Sequence, residues 1–382
     1  MHYFLIAGEA SGDLHAAALI RALRQSDPEA RFSFLGGDLM AEAAGCEPII
    51  HYRSMAYMGF VEVIRHLPQV LGNLRKARRA LLDARPDCFI PVDYPSFNLK
   101  VAKTAARAGI PVYYFISPKI WAWKQWRVRT IRRIVDKVLC ILPFEPKWYA
   151  DHGYDHAVYV GNPSVEELDA AIAAAPDRET FCRTHRLRSN RQLLALLPGS
   201  RRGEIRDNLP IMNEVARRFP QYTIAVAAAP GIDDEFYSPL TRFTLVRNDT
   251  HALLRHAHAA IVTSGTATLE AALANTPQVV TYRSSGSKIF YNIMKRVLKV
   301  SHVTLPNLIE NRTIIPEMLM HLCTPDAVAA ELAAITPDDA PARAAQLAGY
   351  TSMRATLTTA HAAEAAAAQI LSSLPKKITT HL

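Results

Sequence analysis

The sequence predicts an α/β protein made of two doubly wound units in tandem, facing a cleft, and three observations carry that reading. Short apolar, β-rich runs alternate with stretches of helical spacing. The runs are apolar almost throughout, as in a parallel sheet covered on both faces. The pattern pauses near 162–190, a charged and Ala-rich connection, and then restarts. A chain of 382 residues, 49% apolar and 21% charged, is long enough for two cores and has a globular rather than a disordered or fibrous composition.

HYFLIA (2–7) reads as the first strand, GEASGD as a turn and LHAAALIRALRQ (14–25) as a helix. The opening lacks a basic leader and carries Glu9 and Asp13 just after the apolar run, so it is read as a strand and not as a secretory signal. RFSFLG (31–36), DCFIPVDY (87–94), IPVYYFIS (110–117), DKVLCIL (136–142) and HAVYVG (156–161) continue the strand series. Helical stretches separate most of them, such as FNLKVAKTAARAG (97–109), which Gly109 stops. After the pause, QLLALLPGS (192–200) is a strand entering a turn and RGEIRDNLPIMNEVARRF (202–219) a helix. YTIAVA (222–227), FTLVR (243–247), HAAIVTSG (258–265) and PQVVTYR (277–283) are further strands. The expected domains are 1–165 and 190–340, with a helical tail, 341–382, packing back across both. That tail leaves a homodimer open.

The net charge is +9, from 44 basic and 35 acidic side chains, and +6 of it falls in residues 1–165. Such a surplus fits an anionic partner (nucleic acid, a membrane surface or a phosphorylated substrate) or simple solubility. The five cysteines are odd in number and widely spaced, which fits reduced cytosolic thiols rather than disulfides or a zinc site. No window reaches the roughly 18 uncharged apolar residues of a membrane-spanning helix.

Ligands of open α/β sheets lie beyond the carboxyl ends of the strands, and four segments fall there. In Gly8-Glu9-Ala10-Ser11-Gly12-Asp13 the glycines permit close backbone approach and the helix start offers N–H groups; Ser11 or Asp13 serves equally well as a helix cap. The segment is not the G-x-G-x-x-G dinucleotide fingerprint. Gly199-Ser200-Arg201 opens a helix with a guanidinium suited to phosphate. Ser264-Gly265-Thr266 opens another, one turn before Glu270, whose carboxylate suits ribose hydroxyls or a capping box. Two anion seats in the second unit favour a diphosphate, and neither has the P-loop form. Asp93 ends the apolar strand CFIPV, where desolvation raises a carboxyl's pKa toward that of a general base; the competing reading is a turn former before Pro95.

Neither His251, His256 and His258 nor His152 and His156 form a ligand set with a carboxylate, so no metal site is expected, and no Asp-x-Asp pair offers a metal clamp. Met58, Val61, Ile64, Leu67, Val70 and Leu71 fall near helical spacing ahead of Arg75, Lys76, Arg78 and Arg79. WAWKQWRVRTIRRIVDK (121–137) sets three tryptophans beside Arg127, Arg129, Arg132 and Arg133. Both segments fit an anionic lipid surface, or an ordinary amphipathic helix facing the core. No nucleic-acid-binding signature appears.

AGEASGD, SMAYMGFVEV, VDYPSFN, YFISPKIWAWKQWRV, LPFEPKWY, LLPGSRRGEI, SGTATLE and LPNLI…R, in this order from residue 6 to about 320, resemble the lipid-A-disaccharide synthases. The resemblance implies a bacterial inverting glycosyltransferase of GT-B architecture, with two Rossmann-like domains. The implied reaction joins UDP-2,3-diacylglucosamine to 2,3-diacylglucosamine 1-phosphate through a β-1′,6 bond, releasing UDP. It implies no metal or other cofactor, no nucleic acid, and a cytoplasmic enzyme peripheral on the inner face of the inner membrane. Another UDP-sugar enzyme, such as an epimerase, or a non-catalytic UDP-sugar-binding membrane scaffold are the competing readings.

Carried over by motif, Asp93 is the base for the acceptor 6-hydroxyl, Ser11 lies on the acceptor or sugar side, and Arg201 neutralises the leaving diphosphate. Gly199, Ser200, Ser264, Gly265, Thr266 and Glu270 hold UDP, and Asn307 contacts the nucleotide. The 55–71 stretch supplies an apolar wall for acyl chains. Two departures stand out. Ser96 replaces an acidic residue often found in the Asp93 motif, which removes a second carboxylate. Arg202 replaces a small residue after Arg201.

Overall fold

The computed structural model describes residues 1–55, 67–283 and 302–374. They fall into two compact units, Met1–Pro163 with the segment after Thr358, and Ser164–Thr358.

The first unit is a parallel seven-stranded sheet of β1 (His2–Ala7), β2 (Arg31–Gly36), β3 (Ile50–His51), β4 (Cys88–Val92), β5 (Tyr113–Phe115), β6 (Lys137–Cys140) and β7 (Ala157–Tyr159), in the order β3-β2-β1-β4-β5-β6-β7. Its helices are α1 (Ala10–Ser26), α2 (Asp38–Ala44), α3 (Leu67–Ala84), α4 (Pro95–Arg107), α5 (Val128–Ile134) and α6 (Glu145–Asp151). The order reverses direction between β1 and β4, the switch point at which such sheets bind ligands. Alternate residues of β1 feed two cores: Tyr3 and Leu5 face α1, while Phe4 and Ile6 face α3 and α4. Pro91, inside β4, has no N–H for β5. Pairing survives on either side, where Phe89 N donates to Pro111 O (2.8 Å) and Asp93 N to Phe115 O (3.1 Å).

The second unit opens with α7 (Pro163–Ala174) and α8 (Arg178–Thr184), which occupy the Ala-rich connection. A parallel six-stranded sheet follows: β8 (Leu193–Leu197), β9 (Thr223–Ala228), β10 (Thr244–Arg247), β11 (Ala257–Thr263), β12 (Gln278–Tyr282) and β13 (Glu317–Leu319), ordered β10-β9-β8-β11-β12-β13. Its helices are α9 (Arg202–Arg217), α10 (Asp234–Tyr237), α11 (Thr250–His256), α12 (Thr266–Leu273), α13 (Leu305–Glu310), α14 (Pro325–Ile335) and α15 (Pro341–Leu357). The switch point here lies between β8 and β11.

The expected single tail from 341 divides. Helix α15 belongs to the second unit, where Gln346 exchanges hydrogen bonds with the Gln278 backbone (2.9 and 3.0 Å). Helix α16 (Ala362–Ser373) belongs to the first and packs Ala366, Ala367 and Ile370 against the α1 side of its core. Gly161, at φ +98°, admits the Ala360 carbonyl where a Cβ would stand, so the chain can re-enter the first unit there.

Candidate active site

Both switch points are lined by the residues singled out in the sequence. In the first unit, β1 runs into Gly8, and the Tyr94 ring occupies the space a Cβ would need. Tyr94 in turn donates its hydroxyl to Met55 O at 3.0 Å. Asp93 and Tyr94 are consecutive non-glycine residues at φ +44° and +48°, a conformation that costs L-residues and persists only when neighbours enforce it. The enforcing groups are Asn98 and Tyr114. Buried Asn98 directs its Nδ2 at Ile6 O (3.3 Å), Val92 O (3.2 Å) and Asp93 O (2.7 Å), and Tyr114 donates to Asp93 O at 2.6 Å. The turn former and the candidate carboxylate are thus one residue, held in a strained conformation.

Burial pushes the Asp93 carboxyl above its ordinary pKa and the Glu9 carboxylate adds to this, while Lys119, the Tyr94 N–H and His15 work against it. Ser11 is exposed and donates to Glu9 Oε1 at 3.1 Å, in the first turn of α1. Asp13 caps a different helix from the one expected. Its buried carboxylate accepts Gly37 N (2.6 Å), Leu39 N (3.2 Å) and Met40 N (3.3 Å), satisfying the start of α2.

The loop after β5 is fixed by a buried network that the motifs alone did not reveal. Ser117 Oγ and Tyr149 Oη are 2.9 Å apart, and Glu145 accepts Trp121 Nε1 (3.0 Å) and Leu142 N (3.1 Å). Burial raises Glu145 to about 7, against the pull of those two donors and of Lys119. The sequence signal was a lone carboxylate inside the apolar run LPFEP. The same loop leaves Trp123 and Trp126 51% and 63% exposed, each with a cation near its ring, Lys124 at 5.1 Å and Arg127 at 5.8 Å. On α3, Leu67 and Leu71 are 46% and 40% exposed and Val70 is half-buried. Met58, Val61 and Ile64 lie outside the described residues.

In the second unit, β8 runs through Gly199 (φ +114°) into α9, and a Cβ there would meet Glu204 at 2.8 Å. Glu204 accepts Ser200 N (3.1 Å), Arg201 N (3.3 Å) and Arg201 Nη1 (2.7 Å). The Arg201 side chain stays 72% exposed beyond that pair. Arg202 turns away toward Phe236, 4.9 Å from its ring, and Asp233. Beyond β11, Gly265 and Thr266 are exposed at the start of α12. Ser264, half-buried, donates its N–H to Thr281 O at 3.0 Å. Glu270 does not close a capping box. It faces His251, Nε2 to Oε2 3.9 Å, with its pKa raised by burial and by Glu167 and opposed by His251.

Asn307 directs its side chain into its own loop. It is fully buried, its Oδ1 accepts Ile314 N (2.8 Å) and Ile315 N (2.9 Å), and its Nδ2 donates to Ile315 O and Glu317 Oε1, both 2.9 Å. Every polar position of the amide is used in shaping the 304–317 loop, and none remains for a nucleotide. His256 and His258 also bind carbonyls, those of Pro176 (2.9 Å) and Thr336 (2.6 Å).

Comparisons with known proteins bear on both halves. The family model for lipid-A-disaccharide synthetase matches residues 3–371. Lipid-A-disaccharide synthases of Myxococcus xanthus and Acidobacterium capsulatum are 41% and 40% identical, over 97% and 93% of this chain and 97% and 92% of theirs. That of Neisseria meningitidis serogroup A is 39% identical over 85% of this chain and 86% of its own. Among solved structures, the UDP-GlcNAc 2-epimerase of Neisseria meningitidis bound to UDP-GlcNAc has a TM-score of 0.64 at 11% identity, covering 98% of this chain and 99% of that one. The glycosyltransferase of kitacinnamycin has a TM-score of 0.62 at 15% identity, with the same coverage. These two share the fold, whereas the sequence relatives match along most of the chain. Matched by the family model over nearly its whole length and built on a GT-B fold, the chain belongs to the lipid-A-disaccharide synthetase family of hexosyltransferases.

Proposed function

We propose that the protein transfers 2,3-diacylglucosamine from UDP to the 6-hydroxyl of 2,3-diacylglucosamine 1-phosphate, with inversion. Asp93 takes the hydroxyl proton, the oxygen attacks the anomeric carbon opposite the leaving group, the bond to UDP breaks, and a β-1′,6 disaccharide 1-phosphate forms. The observation that carries this is the strained Asp93 turn: a partly buried carboxyl with a raised pKa, held at the carboxyl edge of its sheet by Asn98 and Tyr114. In the second unit, the N–H groups starting α9 and α12 and the Arg201 guanidinium suit the charge that develops on departing UDP, and Glu270 suits its ribose. Ser11 serves the sugar side of the first unit. The reaction so drawn calls on no metal, and EDTA is expected to leave the rate unchanged.

Among the described residues no helix is long and apolar enough to cross a membrane. Exposed Trp123, Trp126, Leu67 and Leu71, together with exposed Arg129, Arg132 and Arg133, suit peripheral attachment to an anionic bilayer on the cytoplasmic side, where acylated substrates reside. The test is incubation of the pure protein with both diacyl sugars, following UDP and disaccharide by mass spectrometry. Asp93→Ala is expected to abolish transfer while UDP affinity stays within about threefold, since no uniform binding is removed. UDP binding without turnover in the wild type supports a scaffold instead.

A further inference from the structure

Two cations act near the Asp93 turn and, among the described residues, have no acidic partner. Lys119 is exposed in the loop after β5, and its charge acts on both Asp93 and Glu145. Arg127 donates from Nη2 to Ser96 Oγ at 3.2 Å, three residues beyond Asp93, and its charge reaches Tyr114, whose hydroxyl holds Asp93 O. Among the described residues neither cation lies within 4.0 Å of a carboxylate, unlike Arg79, Lys147 and Arg218, which pair along their helices.

A cation beside a general base lowers its basicity and so works against the reaction, unless it serves the substrate. The loop that carries both is rigid: Ser117, Trp121 and Gln125 are pinned by Tyr149, by Glu145 and by a 3.0 Å bond from Gln125 Nε2 to Trp121 O. Donors on a fixed frame bind with little ordering cost.

We propose that Lys119 and Arg127 form the seat for a phosphate monoester on the acceptor sugar, which they hold while Asp93 takes the hydroxyl proton. This rests on the transfer reaction above. An anion in the seat offsets the field of Lys119 at Asp93, so the base strengthens when the correct acceptor is bound. The other charged groups facing Asp93 are Glu9 and His15, both from the start of α1.

The test compares Lys119→Met, Arg127→Gln and the double variant with wild type, on the acceptor with and without its phosphate. Wild type is expected to favour the phosphorylated acceptor by ~100-fold or more in kcat/KM, and each single variant to lose about tenfold of that preference, the scale of one charge-assisted hydrogen bond. Arg127→Lys is expected to restore part of it. Donor KM is expected to stay within about twofold, as a contact confined to the acceptor requires. Glucosamine 1-phosphate alone, followed by saturation-transfer NMR, is expected to bind wild type and not the double variant. Transfer at wild-type preference in the double variant overturns the seat and leaves the function standing. No transfer by wild type to either acceptor overturns the function itself. Pelleting with phosphatidylglycerol vesicles separates the two sources of phosphate: loss of pelleting with an unchanged acceptor preference assigns the cations to lipid headgroups and refutes the seat.

Discussion

Asn98→Ala tests whether the Asp93 turn is held by its neighbours or merely accompanied by them. The Asn98 amide has two N–H groups and reaches three carbonyls, the shortest contact being 2.7 Å to Asp93 O. Truncation removes about two hydrogen bonds from a fully buried site and leaves carbonyls unsatisfied, a loss of roughly 2–3 kcal/mol. The turn stores a comparable amount, because a left-handed non-glycine residue costs about 1–2 kcal/mol and two stand in a row. With the clamp gone, only the Tyr114 hydroxyl holds Asp93 O, and the two residues can relax toward ordinary φ. Urea unfolding is expected to show the stability loss. Steady-state kinetics are expected to show kcat down by about tenfold to a hundredfold, since a misplacement near 1 Å has that effect, with donor KM nearly unchanged. Tyr114→Phe removes one bond to the same oxygen and is expected to cost about 1 kcal/mol. The double variant is expected to lose more than the sum, because either clamp alone still restrains the carbonyl. An Asn98→Ala enzyme that loses stability but keeps its kcat refutes the reasoning, for the position of Asp93 would then not depend on the clamp.

The other expectations follow from single contacts. Arg201→Ala is expected to lower kcat by roughly 10²-fold, the scale of one preorganised donor to a developing anion; a near-normal rate would make Arg201 only a partner of Glu204. Because Asp93 must be ionised to act and its pKa is raised, the acid limb of kcat/KM should lie above the ordinary carboxylate range, and a limb at or below pH 4 contradicts the assignment. Glu145 is raised from 4.5 to about 7, so its contribution to stability is fully present below pH 4.5 and is lost as pH rises through 7. Measured against Glu145→Gln by urea unfolding, wild type is expected to lose up to about 3 kcal/mol across that window, and a flat difference would show that Glu145 is not held in this state. Asn307→Ala is expected to cost about 2–4 kcal/mol with donor KM unchanged once the protein is folded; a large rise in donor KM would return Asn307 to the nucleotide.

Much of this was legible in the chain, and the reasons differ by element. Strands β1 and β2 carry the bounds read from the sequence, because buried parallel strands are continuous apolar runs and the turns beyond them are rich in Gly, Pro and Asp. Strands β3 and β13 were not read: they are two and three residues long, lie at sheet edges and carry no run to detect. The place of Asp93 at the end of an apolar strand was legible, whereas the Asn98 clamp was not, since its three acceptors come from β1, β4 and the turn between β4 and α4. Asn307 poses the opposite problem. A motif places a residue beside a ligand or inside the loop that shapes the site, and spacing alone does not separate the two.

What separates them physically is where the donors point. Asp13, Glu204 and Glu317 all sit at turns beside strand ends or helix starts, and each accepts two or more backbone N–H groups. Such a carboxylate is already satisfied, and a ligand would have to displace helix-start donors to reach it. Asp93 and Glu270 are the contrasting pair. Each is partly buried with a raised pKa, and each is opposed by charged side chains (Lys119 and His15, or His251) more than by a cage of backbone donors. A carboxylate desolvated without such a cage carries an unmet demand for a proton or a donor, and a hydroxyl group is one donor that would meet it. By that criterion Asp93 is the candidate carboxylate of the first unit and Glu270 that of the second. The serine at position 96, hydrogen-bonded to Arg127, places no second carboxylate beside Asp93.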